Sequence, residues 1–249
     1  LYQAYAGILG ALIGSFLNVV IYRLPRDKEL AFARSACPHC GALIRWWENV
    51  PVLSWLYLRG RCRACGGPIH WRYPLVEALT ALVFFLSFPE QLTPFALWKW
   101  AFLCAFASIM LCHLFIDLEH RLLLDKLNVA LLLLVVPYAL FFQPLLMWVV
   151  GGLLGFGGPF LVSWAFYKLR GQVGLGGGDI KLWGVLGVFL GPMGIVENIF
   201  FSCLLGSLVG IALIALRRYD RSAGIPFGPY IVVVSFVQAF FPGVLSFIF

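Results

Sequence analysis

The sequence predicts an all-α polytopic membrane protein with about eight transmembrane helices and one small loop domain. The first observation is composition: hydrophobic residues make up 62% of the 249 residues and charged residues only 12%. Soluble domains carry about 25% charged residues, so this chain has too few polar side chains to cover a water-soluble core. Disordered and fibrous classes are excluded by the same composition. The other two observations are the spacing of the apolar runs and the placement of the basic residues.

Eight mostly apolar runs are candidates for membrane-crossing helices, each of which needs about 20 such residues. The second run contains Glu77, and the sixth is short. A tight connection at Gln143 and Pro144 leaves one long kinked helix as an alternative to the fourth and fifth runs. The eight runs lie near residues 3–22, 73–89, 94–116, 127–143, 145–167, 179–190, 194–216 and 225–248.

Basic residues lie almost entirely in loops on one side of these runs. Nine lie in 23–72, two in 121–126, three in 168–181 and three in 217–221, which leaves only Lys99 on the other side. By the positive-inside rule, the basic side faces the cytoplasm and both termini face outward. Eight spans are predicted because one span more or fewer would scramble this segregation.

The loop between the first two spans contains two Cys-x-x-Cys pairs, Cys37/Cys40 and Cys62/Cys65, each followed by a glycine. This spacing is typical of a zinc ribbon, in which four thiolates complete the tetrahedral shell of a structural zinc ion. A redox pair is the alternative, and a cytoplasmic location disfavours it. The loop is therefore predicted to be a small cytoplasmic zinc-ribbon-like domain.

Residues 45–61 of this loop mix three tryptophans with arginines. Such a mixture suits either a nucleic-acid surface or an anchor at the membrane interface. Beside a membrane span, anchoring among lipid headgroups is the favoured interpretation. The sequence thus predicts membrane lipid as a partner and no nucleic acid.

Two aspartates differ from the other acidic residues because they stand at ends of apolar runs. Asp117 ends one run, and Asp179 opens another directly after Gly176, Gly177 and Gly178. A carboxylate at the hydrocarbon edge is costly and is usually functional. If the two converge, they can share one proton and hydrolyse a peptide bond as an aspartic protease does. The alternative to catalysis is that the two aspartates form ion pairs or line an ion pathway, as in a transporter or ion carrier. A second alternative is that the protein is a membrane-anchored zinc scaffold without activity.

Several motifs in order make the chain similar to the bacterial type IV prepilin peptidases, GxGD-class membrane aspartic proteases that include the type II secretion pseudopilin peptidases. The resemblance runs almost end to end. The motifs are GSFLNVVIYRLP at 14–25, the paired cysteine loop, WRYPLVEALTA at 71–81, FIDLEHRLLLD at 115–125, GLGGGDIK at 174–181 and PFGPY at 226–230.

The resemblance implies a bifunctional enzyme of the bacterial inner membrane. It implies cleavage of the basic leader of prepilins and pseudopilins after a Gly, followed by N-methylation of the new terminus, usually Phe, with S-adenosyl-L-methionine. Asp117 and Asp179 match the two catalytic aspartates, and Asp125 matches a further acid, with Leu124 where the family commonly has Pro. The cysteine loop matches the part associated with methyl transfer. The implied domains are 1–90, with that loop, and 91–249, the peptidase domain.

Residues that hold the substrate are a further hypothesis. We expect the leader's basic residues to be bound by Glu119, Asp125 or Glu48, since each is an acid in a predicted cytoplasmic loop. The glycine run Gly176–Gly178 is expected to accept an extended strand because glycine allows close backbone approach. No GxGxxG fingerprint is present, so no residue is predicted for the methyl donor.

Overall fold

The computed structural model describes residues 1–30, 35–172, 174–216 and 226–244, and these ranges are helical apart from turns and two isolated bridges. Within these ranges, five helices are long and apolar enough to cross a membrane: α1 with the turn that follows it, and α4 to α7. The predicted all-α polytopic membrane class is confirmed, whereas the count of eight spans stays a prediction. The helices are α1 (Tyr2–Arg23), α2 (Leu53–Tyr57), α3 (Arg72–Leu86), α4 (Pro94–His120), α5 (Asp125–Phe142), α6 (Leu145–Arg170), α7 (Gly177–Ala215) and α8 (Gly228–Phe240).

Helix boundaries follow the predicted runs with local differences. Helices α5 and α6 are separate, because α5 ends at Phe142 and Pro144 stands as the extended N-cap of α6. The alternative of one long kinked helix is therefore wrong. Helix α8 begins at Gly228, with Pro229 in its first turn, and has only 13 residues. The predicted basic loop 217–221 and the end of the last run, 245–248, lie outside the described residues.

Helix α7 folds back on itself at Gly191. Its φ of 72° and ψ of −177° are non-helical, and Pro192 follows it. Trp183 Nε1 donates to Asn198 Oδ1 at 3.0 Å, although 15 residues along a straight helix would separate these positions by about 22 Å. Glycine permits the left-handed φ that this reversal needs. The sixth and seventh predicted runs are thus two helical segments that meet at a tight turn.

The chain divides into two compact units, residues 1–112 and 113–249. In the first unit, α1 packs closely on α3. A Cβ atom on Gly10 would lie 2.7 Å from the carbonyl oxygen of Thr80, and one on Gly14 would lie 2.7 Å from Glu77 Cα. Small residues let helix backbones approach in this way within a membrane. Gly10 and Gly14 therefore permit the close packing of α1 on α3.

In the second unit, α6 packs against both segments of α7. Gly151 and Gly155 of α6 lie against the backbones of Gly187 and Trp183, where a side chain would clash. By contrast, a Cβ atom on Gly157 or Gly158 would meet nothing within 4 Å among the described residues. Close packing therefore explains only part of the glycine cluster of α6.

A buried polar cluster joins α8 to the second segment of α7. The Asn198 side chain donates from Nδ2 to Ser235 Oγ at 3.0 Å and to Gln238 Oε1 at 2.8 Å. Gln238 Nε2 in turn donates to the Gly194 carbonyl at 2.8 Å. Hydrogen bonds satisfy these polar groups inside an apolar unit, where an unpaired group would be costly. The cluster holds the helix whose first residue is Gly228.

Candidate active site and metal centre

Asp117 lies in the last turns of α4 and is only 5% exposed. The helix ends three residues later because Arg121 adopts a φ of 55°, and the Arg121 backbone N–H still donates to the Asp117 carbonyl at 2.8 Å. Asp117 Oδ2 has no hydrogen-bond partner among the described residues. Buried polar atoms are nearly always paired, so an oxygen without such a partner is exceptional.

Asp179 is the third residue of α7, after the extended N-cap Gly176. A Cβ atom on Gly176 would lie 2.7 Å from Asp179 Oδ2, so the carboxylate sits against the backbone at the start of the helix. The first amides of a helix have no intrahelical partner and favour a negative charge there. A side chain at Gly176 would therefore require the Asp179 carboxylate to shift.

The two carboxylates lie near enough to one another for their charges to interact. Glycines at the starts of α8 and α7 pack against Asp117 and Leu123. A Cβ atom on Gly228 would lie 2.7 Å from Asp117 Oδ2 and 3.1 Å from Leu123 Cδ2. One on Gly178 would lie 2.8 Å from Leu123 Cβ. Leu123 therefore packs between the glycine run and the start of α8.

Asp125 and Lys181 connect the starts of α5 and α7. Lys181 Nζ lies 2.8 Å from both carboxylate oxygens of Asp125. Leu124, the N-cap of α5, has a φ of −79°, which proline also adopts. The turn therefore keeps a backbone that suits proline even though leucine stands there. The sequence analysis missed the role of Lys181, although its position two residues after Asp179 was a signal.

The remaining acids expected to hold substrate have local partners. Glu119 Oε2 lies 4.0 Å from His120 Nε2, in the same helix end as Asp117. Glu48 belongs to the first unit, where it accepts from the Arg45 backbone at 3.0 Å and from Arg63 Nη1 at 3.2 Å. Glu48 thus caps a turn of the cysteine loop, and its role in holding a leader stays a prediction.

His113 lies one helical turn before Asp117 and is fully buried. Neither ring nitrogen has a hydrogen-bond partner among the described residues. The sequence analysis did not single it out, because a lone histidine in an apolar run carries no motif. Leu123 was missed for a similar reason, since an apolar side chain signals packing rather than chemistry.

The four cysteines of the loop come together as one cluster, and their sulfur atoms lie within 4.8 Å of one another. Cys37 Sγ and Cys65 Sγ are 4.0 Å apart. Four sulfurs at 2.3 Å from a zinc ion would be separated by about 3.8 Å, so the cluster fits a tetrahedral ion. The zinc prediction is supported by this donor set.

The two halves of the cluster repeat the same turn 25 residues apart. Gly41 N–H donates to the Cys37 carbonyl at 2.9 Å, and Gly66 N–H to the Cys62 carbonyl at 2.8 Å. Both glycines have a φ near 70°, which a residue with a Cβ atom rarely adopts. The trailing glycines noted in the sequence therefore close the two turns.

The backbone prepares the thiols unequally for ionisation. Backbone hydrogen bonds from Cys65 and Ala64 lower the pKa of Cys62 to about 7. The Gly67 amide also favours the Cys65 thiolate, but the neighbouring thiols, Cys40 foremost, and burial oppose it and raise the pKa of Cys65 to about 11. A bound cation is needed to hold all four sulfurs as thiolates near neutral pH.

These features define a class, a multi-pass helical membrane protein with paired aspartates and a four-cysteine loop. Comparison with known families specifies it further. The model of the Type IV leader peptidase family matches residues 104–211, and that of the Bacterial Peptidase A24 N-terminal domain matches residues 8–90. The chain belongs to the type IV leader peptidase family, and it is a peptidase with methyltransferase activity.

Curated relatives cover nearly the whole chain. It is 38% identical to the prepilin leader peptidase/N-methyltransferase of Aeromonas hydrophila, over 95% of this chain and 90% of that protein. A protein of the same name from Xanthomonas campestris is 36% identical, over 96% of this chain and 91% of that protein. Another, from Pseudomonas aeruginosa, is 34% identical, over 92% of this chain and 87% of that protein. No solved structure matches the chain. The resemblance inferred from the motifs is confirmed.

Proposed function

We propose that this chain cleaves the basic leader from type IV prepilins or pseudopilins at the cytoplasmic face of the inner membrane. Cleavage follows a Gly, and the new N-terminal residue, usually Phe, is then N-methylated with S-adenosyl-L-methionine. Asp117 and Asp179 are the catalytic carboxylates. The observation that carries the proposal is that these two acids interact at one backbone-walled site of a family peptidase.

Hydrolysis by this pair needs one proton between the two carboxylates. The ionised member takes a proton from water as the water oxygen attacks the peptide carbonyl carbon. The protonated member donates its proton to the carbonyl oxygen, which gives a neutral tetrahedral intermediate. When this intermediate collapses, the C–N bond breaks and the nitrogen takes the proton of the carboxyl that was protonated by water, while a hydroxyl of the intermediate gives its proton to the other carboxylate as the new C=O forms. The pair returns to its one-proton state, as in other aspartic proteases.

The glycines around the pair suit an extended substrate strand. Gly176 and Gly177 are exposed beside Asp179 and present backbone without side chains. A prepilin joins a basic cytoplasmic leader to an apolar membrane helix, so its scissile bond lies at the interface where boundary carboxylates would reach it. Glu119 and Asp125 are close in sequence to Asp117 and supply negative charge for the basic leader. These features support a prepilin-type substrate.

Methyl transfer follows on the amine that cleavage releases. The methyl donor supplies an electrophilic methyl group on a sulfonium sulfur. The neutral amine nitrogen would form the new N–C bond as the methyl–sulfur bond breaks and a neutral thioether leaves, and the methylated nitrogen would then give one proton to solvent. The Cys37, Cys40, Cys62 and Cys65 cluster holds a structural zinc ion that orders the loop, because closed four-thiolate sites leave no open coordination position.

Removal of either carboxylate tests the proposal. We expect Asp117→Asn and Asp179→Asn each to lower cleavage of a leader-containing peptide by about 10³-fold or more, since positioned acid–base groups contribute roughly 10²–10⁴-fold. Purified protein is incubated with the peptide, and the products are weighed by mass spectrometry. Glu90→Gln, an exposed loop acid, is the matched control and keeps full activity. If either Asn variant keeps its zinc and cleaves the peptide at the wild-type rate, the proposed aspartic mechanism is refuted.

A further inference from the structure

A cleft of about 310 Å³ opens beside one face of α1 in the first unit. Its α1 residues recur at helical spacing, so they share one side of the helix. Side chains from the loop complete it, among them Ser35 and Asn49. This volume falls in the range of small-molecule sites. The α1 residues of the cleft are Leu12, Ser15, Phe16, Val19 and Arg23.

The cleft is polar at defined points and apolar between them. The Ser15 side chain is hydrogen-bonded to the carboxylate of Glu77, which is only 8% exposed. The same carboxylate accepts from the Val52 backbone N–H at 2.7 Å. Val52 has a φ of 60°, which a β-branched residue rarely adopts, so the loop is held in a strained conformation at this point.

The residues that line this cleft suit a ligand that combines a nucleoside, a methylated sulfonium and an amino-acid carboxylate. The Arg23 guanidinium suits the carboxylate of its amino-acid part. Phe16, with Leu12 and Val19 beside it, offers an apolar wall for the adenine ring. The Ser15 side chain adds a polar group to the same wall. A second cleft, in the second unit, has a volume of about 170 Å³ and no basic residue among those that line it.

We propose that this cleft binds S-adenosyl-L-methionine, with Arg23 on the donor's carboxylate and Asn49 on its polar edge. The proposal rests on the methyl-transfer activity proposed above. It assigns the donor to the first unit, whereas both aspartates, Asp117 and Asp179, belong to the second. Binding of the donor is therefore expected to be independent of the peptidase carboxylates.

Binding is measured with the full-length, zinc-loaded protein in lipid nanodiscs, titrated with S-adenosyl-L-methionine in a calorimeter. Arg23→Gln and Asn49→Ala are each expected to weaken binding about tenfold or more, because each loses hydrogen bonds to the ligand. Arg26→Gln is the matched control: Arg26 follows one turn later, donates to the Tyr22 carbonyl at 2.7 Å and does not line the cleft. Peptide cleavage by all three variants should equal that of the wild type.

A second readout locates the ligand directly. Ultraviolet irradiation with tritiated S-adenosyl-L-methionine should label a peptide from α1 in wild-type protein, and Phe16→Ala should reduce the label while Phe16→Tyr retains it. If Arg23→Gln and Asn49→Ala bind the donor as tightly as the wild type, the assignment of the donor site to this cleft is wrong. The proposed methyl-transfer activity would be unaffected by that result. If Arg26→Gln weakens binding as much as Arg23→Gln does, the proposed site is also overturned, because general charge attraction would then explain the loss. If the wild-type protein neither binds S-adenosyl-L-methionine nor transfers its methyl group, both proposals are overturned.

Discussion

At the scale of single residues, the site depends on glycines as much as on acids. Asp117 is buried against Gly228, and Asp179 lies against Gly176. In each case a Cβ atom on the glycine would take up the space beside the carboxylate oxygen.

Filling this space should impair catalysis without unfolding the chain. Gly228→Ala would place a methyl group 2.7 Å from Asp117 Oδ2, so the carboxylate must shift. We expect cleavage of the leader peptide to fall roughly tenfold to a hundredfold, since small misplacements of catalytic groups have such effects. Gly157→Ala is the control, because a Cβ atom there meets nothing within 4 Å. Equal kcat values for the two variants would contradict this account.

The thiols of the loop allow a prediction of pH dependence in zinc-free protein. The thiolate forms as pH rises through the pKa, and the backbone amides lower the pKa of Cys62 to about 7, whereas that of Cys65 is raised to about 11. Iodoacetamide, which reacts with the thiolate, should therefore modify Cys62 with a midpoint near pH 7 and leave Cys65 largely unmodified at pH 8. Mass spectrometry of the digested protein measures both. Preferential labelling of Cys65 at pH 8 would refute the assignment.

At the scale of elements, a surface ion pair joins two helix starts that carry the site. Asp125 begins α5 and Lys181 lies in the first turn of α7, two residues after Asp179. Both side chains are more than half exposed, at 67% and 51%, and exposed pairs contribute little to stability. The pair is therefore expected to orient the two helix starts rather than to stabilise the fold.

A charge exchange separates these two roles. We expect Asp125→Lys and Lys181→Asp each to lower cleavage about threefold to tenfold, and the double exchange to recover part of the loss, because it restores opposite charges. Thermal stability should stay within a few degrees of the wild type. Lys168→Asp, on the last turn of α6, is the control. If the double variant is no better than the worse single variant, Asp125 acts on the leader instead of on Lys181.

At the scale of the whole molecule, two compact units carry different groups. The four-cysteine cluster belongs to residues 1–112, and Asp117 and Asp179 belong to residues 113–249. Helix α4 runs through the division, between Cys112 and His113. Such a division predicts that the two activities can be lost separately.

Metal removal tests this separation. Cys37→Ser and Cys62→Ser should release zinc and destabilise the loop, because structural zinc contributes its binding energy to folding. Methyl transfer should then be lost, while peptide cleavage falls less completely. Zinc content, cleavage and methylation are measured on the same preparations, with Cys203→Ser, outside the loop, as the control. Full methylation by zinc-free protein would show that the loop has no part in that step.

Much of this architecture could be predicted because its signals are local. The apolar runs, the trailing glycines of the cysteine pairs and the glycine run before Asp179 are each contained in short stretches of sequence. The break between α5 and α6 at Pro144 follows from the missing N–H of proline. The ends of helices were harder: α4 continues to His120 because its last turns are paired within the helix, which composition does not reveal.

Long-range contacts could not be predicted in this way. Nothing in the sequence indicated that Trp183 and Asn198 would meet across the turn at Gly191, or that Leu123 would lie between Gly178 and Gly228. Such contacts depend on helix packing, in which backbone geometry and the shapes of several side chains act together. A cleft has the same origin, because its walls come from segments distant in the chain.

The sequence by itself predicted the membrane class, the cluster of four cysteines and the two aspartates at ends of apolar runs, because each depends on composition or on spacing within one segment. Only the tertiary structure decided that Asp117 and Asp179 act on one another, that Lys181 pairs with Asp125, and that α7 reverses at Gly191. These are relations between segments tens of residues apart. The physical reason is that a carboxylate's chemistry depends on its neighbours, and folding alone determines which neighbours it has.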